Sequence, residues 1–162
     1  MTISTTSDTA PVRPRILYAC RANGGRSVAS RVLTAYYDGD AVEAYSAGSE
    51  PGDHIHPEVA DVLTDLGLDV TGEAPKGFDT DATYDVVVTQ GCGESCPVFL
   101  GAKYSDWPLD DPKGQDEATV RRVIADIDGR VRELLTDLVP DHELPPSVVE
   151  QSPRSADTGP AD

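Results

Sequence analysis

The sequence predicts a small doubly wound α/β domain, with a parallel four-stranded sheet flanked by helices. Two observations predict this fold class. Short apolar runs typical of buried strands alternate with longer segments whose apolar residues recur at helical spacing. That alternation favours a parallel sheet, because each connection between neighbouring parallel strands then crosses over through a helix. The apolar run YDVVVT, at residues 84–89, is typical of a strand buried on both faces.

Strands and helices follow one another along the chain. The predicted strands occupy residues 15–20, 42–46 and 84–89, with a last short strand before Asp111. Proline at the first turn supports a helix at residues 57–66, because the ring presets the backbone there. Apolar residues at intervals of three and four support the other helices. The predicted helices occupy residues 27–37, 57–66 and 117–138.

Both ends of the chain are rich in Pro, Ser, Thr and acidic residues, and they have little apolar surface to offset the entropy of ordering. We therefore predict mobile tails at residues 1–14 and 140–162, and one domain at residues 15–139. The first tail has no apolar core of the kind found in a signal peptide. No apolar run approaches the ~18 residues of a membrane span. These features predict a cytoplasmic protein.

The chain is strongly acidic. Asp and Glu number 29 against 13 Lys and Arg, for a formal net charge of -16 over 162 residues. Such a surface repels phosphate backbones and anionic lipids, so neither nucleic acid nor membrane is expected as a partner. At molar salt the Debye length falls to ~3 Å and the self-repulsion is largely screened. We interpret the charge as adaptation to a salt-filled cytoplasm, as in halophilic archaea; an acidic protein from a low-salt cell is the alternative.

The turn between the first predicted strand and helix carries the most distinctive chemistry. The strand ends at Cys20, and the helix opens at Ser27 after a glycine-containing loop. Ligands of parallel sheets bind at such turns, where main-chain N–H groups and the helix dipole attract an oxyanion. The same donors stabilise a thiolate, although a buried core cysteine beside an ordinary turn is the alternative. The oxyanion-binding candidates are Arg21, Ala22, Asn23, Gly24, Gly25, Arg26 and Ser27.

The other two cysteines, Cys92 and Cys96, lie just after the 84–89 strand. In the cytosol such a pair more often serves redox or metal chemistry than a structural disulfide. His54 and His56 could complete a zinc site with them, and two packing cysteines are a further alternative. The redox interpretation is preferred, because two thiols release two electrons on forming a disulfide. We predict no metal site.

Several segments together resemble a known family. Residues 20–27, CRANGGRS, resemble the CX5R(S/T) signature of low-molecular-weight protein tyrosine phosphatases and of the arsenate reductases that share their fold. Residues 46–51, SAGSEP, resemble the segment that follows the second strand in this family. Residues 89–97 and 106–114 are similar to the arsenate reductase branch. The resemblance covers about residues 15–138, and the motifs in order are more specific than any one alone.

The resemblance implies the reduction of arsenate to arsenite without a bound cofactor. It implies that Cys20 attacks arsenate, that Arg26 binds the oxyanion, and that Asp111 protonates the leaving oxygen as general acid. Asp110, the neighbouring acidic residue, is the competitor for that last role.

The resemblance also implies a thiol relay. Cys92 attacks Cys20 and releases arsenite, and Cys96 then attacks Cys92, which leaves a disulfide for a thioredoxin-like partner. Familiar thioredoxin-coupled members separate these two cysteines by more residues. The order of attack by Cys92 and Cys96 is therefore left open, as is a low-molecular-weight thiol as the reductant.

One departure from the phosphatase branch bears on the substrate. Tyrosines that sandwich a phenyl ring follow the Asp-Pro pair there, whereas Lys113, Gly114 and Gln115 follow Pro112 here. A small inorganic oxyanion is therefore favoured over an aryl phosphate. A phosphatase of phosphomonoesters is the alternative activity, and an oxyanion sensor without turnover is the alternative from another class.

The charge interpretation predicts that stability depends on salt. We expect the free energy of unfolding to rise between low salt and molar KCl, because counterions screen the repulsion among the acidic side chains. Urea denaturation at a series of KCl concentrations measures this. Full stability and refolding in low-salt buffer would contradict the interpretation.

Overall fold

The computed structural model describes residues 13–91 and 96–151 and confirms the predicted fold class. Its four strands are β1 Arg15–Cys20, β2 Glu43–Gly48, β3 Val86–Thr89 and β4 Lys103–Asp106. Its helices are α1 Arg26–Asp38, α2 Pro57–Asp65, α3 Glu117–Leu138 and α4 Val148–Gln151. The predicted boundaries of the three long helices and of the first three strands agree with these to within two residues.

All strand pairs of the sheet are parallel, and the order across it is β2-β1-β3-β4. In the middle of the sheet Ile16 pairs with Ala44 on one side and with Val86 on the other. The chain runs from β1 to β2 on one side and then crosses from β2 to β3 on the other side of β1, and such a reversal of strand order opens a crevice beyond the carboxyl ends of the strands. Cys20, the last residue of β1, therefore lies at the centre of that edge.

The two faces of the sheet are covered differently. Ile16 and Tyr18 of β1 face the apolar sides of α1, α2 and α3 and form the larger core cluster with them. Leu17 and Val87 face the other way and pack under Tyr84 and Phe99 from connecting segments. Successive side chains of β1 point to opposite faces of the sheet, and both faces are covered. Every side chain from Ile16 to Cys20 is therefore buried, in agreement with the near-continuous apolar sequence of this strand.

The helix ends follow local signals in the sequence. Asp116 caps α3, where its carboxylate accepts a hydrogen bond from the N–H of Thr119 at 2.9 Å. Pro57 starts α2, and Gly67 follows its end with φ 86°. The N-terminus of α1 is different, because Gly25 at the N-cap position offers no side chain to the first N–H groups. Those donors are left for another partner.

The structure corrects the predicted boundary at residue 139. The segment that follows α3 packs against the domain up to α4, and Val148 is buried. Ser147 donates a hydrogen bond to the buried carboxylate of Asp128 at 2.7 Å, and the N–H of Val148 donates to the Tyr37 hydroxyl at 2.9 Å. The segment is ordered by these polar contacts with α1 and α3, which its own composition does not reveal. Residues 1–12 and 152–162 lie outside the described residues.

In the parts of the chain that the structure describes, no helix combines the length and the apolar character needed to cross a bilayer.

Candidate active site

Cys20 lies at the carboxyl end of the central strand, at the base of the loop that leads into α1. Its side chain is a free thiol and is only 2% exposed. The Sγ atom lies 2.9 Å from the Oγ atom of Ser27, which is itself fully buried on the first turn of α1. The spacing from the strand end to the first helical turn places these two atoms in contact.

Asn23 fixes the orientation of Ser27. Its Oδ1 accepts a hydrogen bond from the main-chain N–H of Lys76 at 2.9 Å, so Nδ2 must be the atom that faces Ser27 at 2.8 Å. The Ser27 oxygen accepts that bond, which leaves the hydroxyl hydrogen free to point at the Cys20 sulfur. A hydrogen bond from a hydroxyl stabilises a thiolate over a thiol.

Asn23 also sets the shape of the loop. Its φ is 51°, in the left-handed region that asparagine tolerates better than most residues. The side chain is completely buried and joins Ser27, at the end of the loop, to the main chain of Lys76 outside the loop, so the strained backbone is held by its own amide. Asn23 and Ser27 therefore lie behind the loop and brace it, whereas Arg21 and Ala22 line the cavity in front of it.

The carbonyl groups of the loop are held from outside. The carbonyls of Cys20, Arg21, Ala22 and Gly24 accept hydrogen bonds of 2.7–3.1 Å from main-chain N–H groups at residues 49–56. Among the described residues, no hydrogen bond uses the N–H groups of residues 21–26. With the carbonyls tied outward, these N–H groups and the uncapped start of α1 form a cradle of donors.

The cradle opens into a cavity of about 320 Å³, whose lining includes Cys20, Arg26, Gly91 and Asp111. The Arg26 side chain is 12% exposed, and its Nη2 lies 3.7 Å from Oδ2 of Asp111. A Cβ at Gly91 would lie 2.5 Å from Nη1 of Arg26, so only a glycine leaves room for the guanidinium. Gly91, with φ 95°, thus links the position of Arg26 to the chain that leads to Cys92.

The two candidate acids point in different directions. Asp111 lines the cavity beside Arg26, whereas Asp110 pairs with Arg122 of α3 at 3.1 Å. The Asp111 Oδ1 accepts the N–H of Lys113 at 3.0 Å, which turns the loop toward the cavity. Glu58 at the start of α2 accepts the N–H of Gly114, and this hydrogen bond lowers the pKa of Glu58. The Asp-Pro loop is thereby tied to α2.

His56 is a cavity residue that the sequence analysis considered only as a zinc ligand. A Cβ at Gly24 would lie 2.8 Å from the imidazole Cε1, so the ring packs directly on the glycine pair of the loop. Burial lowers the pKa of His56 below its usual value, which keeps the ring neutral at pH 7. Within residues 13–91 and 96–151, no group of three or more His, Cys, Asp or Glu side chains is arranged to hold a metal ion.

Gln90 is a second residue that the sequence analysis did not single out. Its Nε2 donates to Ser30 Oγ at 2.6 Å, and that hydroxyl donates to the Arg26 carbonyl at 2.8 Å. Gln90 is fully buried, and its main-chain N–H donates to the Ala19 carbonyl at 2.7 Å. The end of β3 is thus joined both to β1 and to the first turn of α1. Its position directly before Gly91 in the 89–97 motif was the available signal.

The redox cysteines are partly described. Cys96 is disulfide-bonded, in contrast to the free thiol of Cys20. Cys92 lies outside the described residues. The structure therefore brings Cys20, Arg26 and Asp111 to one cavity and leaves the approach of Cys92 and Cys96 to that cavity as a prediction.

Fold and cavity together define the class of protein: a parallel α/β domain that presents a cysteine and a cradle of main-chain donors at the edge of its sheet. The model of the low-molecular-weight phosphotyrosine protein phosphatase family matches residues 15–144. The chain belongs to this family.

Three similar proteins are described as arsenate reductases. A Halobacterium salinarum protein carries the name of an arsenate reductase provisionally. It is 34% identical over 134 residues, which cover 76% of this chain and 92% of that protein. The thioredoxin-dependent arsenate reductase of Corynebacterium glutamicum is 37% identical at a TM-score of 0.72, covering 82% of this chain and 65% of that chain. An arsenate reductase from Archaeoglobus fulgidus is 31% identical at a TM-score of 0.65. The match covers 74% of this chain and 98% of the Archaeoglobus chain. This chain thus spans less than two thirds of the Corynebacterium chain.

The contact between Gly91 and Arg26 predicts a specific effect of Gly91→Ala. The methyl group displaces the guanidinium, so binding of inorganic phosphate should weaken by at least ~10-fold, the usual effect of losing a charge-assisted hydrogen bond. Isothermal titration calorimetry with phosphate measures this.

Gly67→Ala is the matched control. Gly67 has φ 86°, so it carries the same backbone penalty as Gly91, but a Cβ there meets nothing within 4 Å. It should lose some stability and keep its phosphate affinity. Equal phosphate affinity in the native protein and Gly91→Ala would contradict the role of this contact.

Proposed function

We propose that this chain reduces arsenate to arsenite, with Cys20 as the nucleophile and with Cys92 and Cys96 as a resolving pair. The observation that carries the proposal is the buried free thiol of Cys20 under a loop of unpaired main-chain donors. The family and its arsenate reductase relatives support it.

The cavity suits a tetrahedral oxyanion. Among the described residues, the main-chain N–H groups of residues 21–26 make no hydrogen bond, so they are available to an anion, and the positive end of α1 adds to their attraction. The Arg26 guanidinium offers two parallel N–H donors to two oxygens of the same anion. Arsenate and phosphate are nearly isosteric, so both are expected to bind.

In the first step, the Cys20 thiolate attacks arsenic and forms a sulfur–arsenic bond. One arsenate oxygen leaves, and Asp111 protonates it so that it departs as water rather than as hydroxide. The position of Asp111 at the cavity supports this role, whereas Asp110 is engaged with Arg122 outside it. Arg26 stabilises the negative charge on the remaining oxygens.

In the second step, a thiolate attacks the Cys20 sulfur, and the sulfur–arsenic bond breaks. Its electron pair goes to arsenic, so arsenate becomes arsenite and two thiols become a disulfide. We assign this attack to Cys92. Cys92 directly follows Gly91, a residue that lines the cavity, in the chain.

In the third step, Cys96 attacks the Cys92 sulfur and returns Cys20 to its thiolate form. The free Cys20 and the disulfide-bonded Cys96 of the structure fit the state that follows this step. A dithiol partner must then supply two electrons to begin the next cycle. We propose a thioredoxin-type protein in the cytoplasm, in line with the thioredoxin dependence of the Corynebacterium relative.

The hydrolysis of phosphomonoesters is the second candidate function. The pairing of Asp111 with Arg26 at the cavity favours it, because a phosphocysteine mechanism uses the same two side chains. Lys113 lines the cavity where the phosphatase branch carries an aromatic residue, and this favours a small inorganic oxyanion instead.

Replacing each cysteine by serine separates the two functions. Cys20→Ser should abolish all turnover, because the nucleophile is lost. Cys92→Ser should lower the rate of arsenite production by at least ~10³-fold. Any phosphatase activity should remain, because hydrolysis requires no second thiol. The measurement is arsenite release with thioredoxin and its reductase in molar KCl, beside hydrolysis of a phenyl phosphate.

Cys96→Ser is the matched control for the order of attack. It should allow one turnover and then trap a Cys20–Cys92 disulfide, detectable by mass spectrometry of peptides. A Cys20–Cys96 disulfide trapped in Cys92→Ser would reverse the assigned order. Undiminished arsenite production in both variants would exclude the relay.

The two aspartates provide a second test. Asp111→Asn should lower kcat for arsenate by about 10²–10⁴-fold, because the leaving oxygen loses its proton donor. Asp110→Asn also removes one negative charge, but from a side chain that pairs with Arg122 outside the cavity. This variant should retain most of the activity. A larger loss in Asp110→Asn, measured as arsenite release across pH 5–9, would transfer the role of general acid to Asp110.

A further inference from the structure

The segment that follows Cys96 exposes apolar side chains to solvent. Among the described residues, the large hydrophobic side chains that are exposed are Tyr36, Val98, Leu100 and Tyr104. Three of these four lie within eight residues of Cys96 in the chain. Val98 is 78% exposed and Leu100 is 90% exposed, so neither contributes to the core of the domain.

The buried residue between Val98 and Leu100 fixes the direction of these two side chains. Phe99, between them, is buried and packs edge-on against Tyr84 with ring centroids 5.0 Å apart. The hydroxyl of Tyr104, on the edge strand β4, accepts the main-chain N–H of Phe99 at 2.5 Å. With Phe99 held inward from both sides, Val98 and Leu100 must project outward. We call Val98, Leu100 and the exposed edge of Tyr104 the apolar patch.

The apolar patch lies in a stretch of unusual charge. Residues 95–105 contain no Asp or Glu, although the chain has 29 of them. The acidic residues elsewhere in the chain would repel an acidic protein, whereas residues 95–105 would not. At high salt, ionic contacts are screened while the burial of apolar surface keeps its strength, so a contact made here survives in molar KCl.

We propose that the apolar patch is the docking surface for the dithiol protein that reduces the disulfide of Cys96. This inference rests on the proposed function for the source of that disulfide. The partner's thiolate must reach a sulfur of the disulfide, so its surface must meet the residues that adjoin Cys96. Val98 is two residues away from Cys96, and Leu100 is four residues away.

The chemistry of the docked pair balances. One partner thiolate attacks a sulfur of the disulfide and forms a mixed disulfide. The second partner thiol then attacks the partner's own sulfur in that mixed disulfide. The partner leaves with a disulfide, and this chain regains two thiols, so two electrons and two protons are transferred. The apolar patch takes part only by binding, because its side chains have no redox chemistry.

Leu100→Gln tests the proposal. The side chain is almost fully exposed, so the change should leave the midpoint of urea denaturation unchanged. We expect the KM for thioredoxin, supplied with its reductase and NADPH, to rise by at least ~10-fold, as expected from the loss of one buried leucine contact. Turnover driven by dithiothreitol should not change, because a small dithiol needs no docking surface.

Tyr36→Gln is the matched control, since it removes an exposed aromatic side chain from α1, away from Cys96, and should leave the KM for thioredoxin unchanged. Equal KM values for Leu100→Gln and the native protein would overturn the proposal. So would a native dimer, seen by sedimentation, that Leu100→Gln dissociates, because the patch would then bind a second copy.

A third measurement keeps this test separate from the proposed function. A thioredoxin that lacks its resolving cysteine forms a stable mixed disulfide with the oxidised chain, and its yield does not depend on arsenate. The yield should fall in Leu100→Gln and not in Tyr36→Gln. If the native protein traps thioredoxin but releases no arsenite, the proposed function fails and the docking surface stands.

Discussion

The arrangement of the site depends on the hydrogen bonds that hold the loop after Cys20 from outside. Four loop carbonyls are bound by main-chain N–H groups at residues 49–56, and Asn23 ties the inside of the loop to Lys76 and Ser27. A peptide unit whose carbonyl is fixed has its N–H fixed in the opposite direction. The donors that face the cavity are therefore set before any anion arrives, which is the preorganisation that electrostatic stabilisation requires.

The residues that follow β3 adjoin the oxyanion-binding residues and lead directly to Cys92. Gln90 joins β3 to the first turn of α1, and Gly91 leaves just enough room for the guanidinium of Arg26. The next residue is Cys92. The proposed resolving cysteine is thus the immediate chain neighbour of a residue that limits the space of the Arg26 guanidinium.

The distribution of charge separates two kinds of surface on this acidic protein. The oxyanion loop lies in residues 9–37, which have no acidic residue, and the segment around the apolar patch has none between residues 95 and 105. Elsewhere acidic residues recur every few positions. These are the two longest stretches of the sequence without an acidic residue, and the proposed chemistry assigns a step to each of them.

The sequence by itself determined the strands, the long helices and the position of the Cys20 loop, because these depend on local periodicity and on neighbours along the chain. The tertiary structure alone decided which of two adjacent aspartates faces the cavity, since Arg122 of α3 holds Asp110 elsewhere. It also placed His56 on the glycine pair and residues 140–151 on α1 and α3. Each of these depends on partners far away in the chain, and composition and spacing carry no information about such contacts.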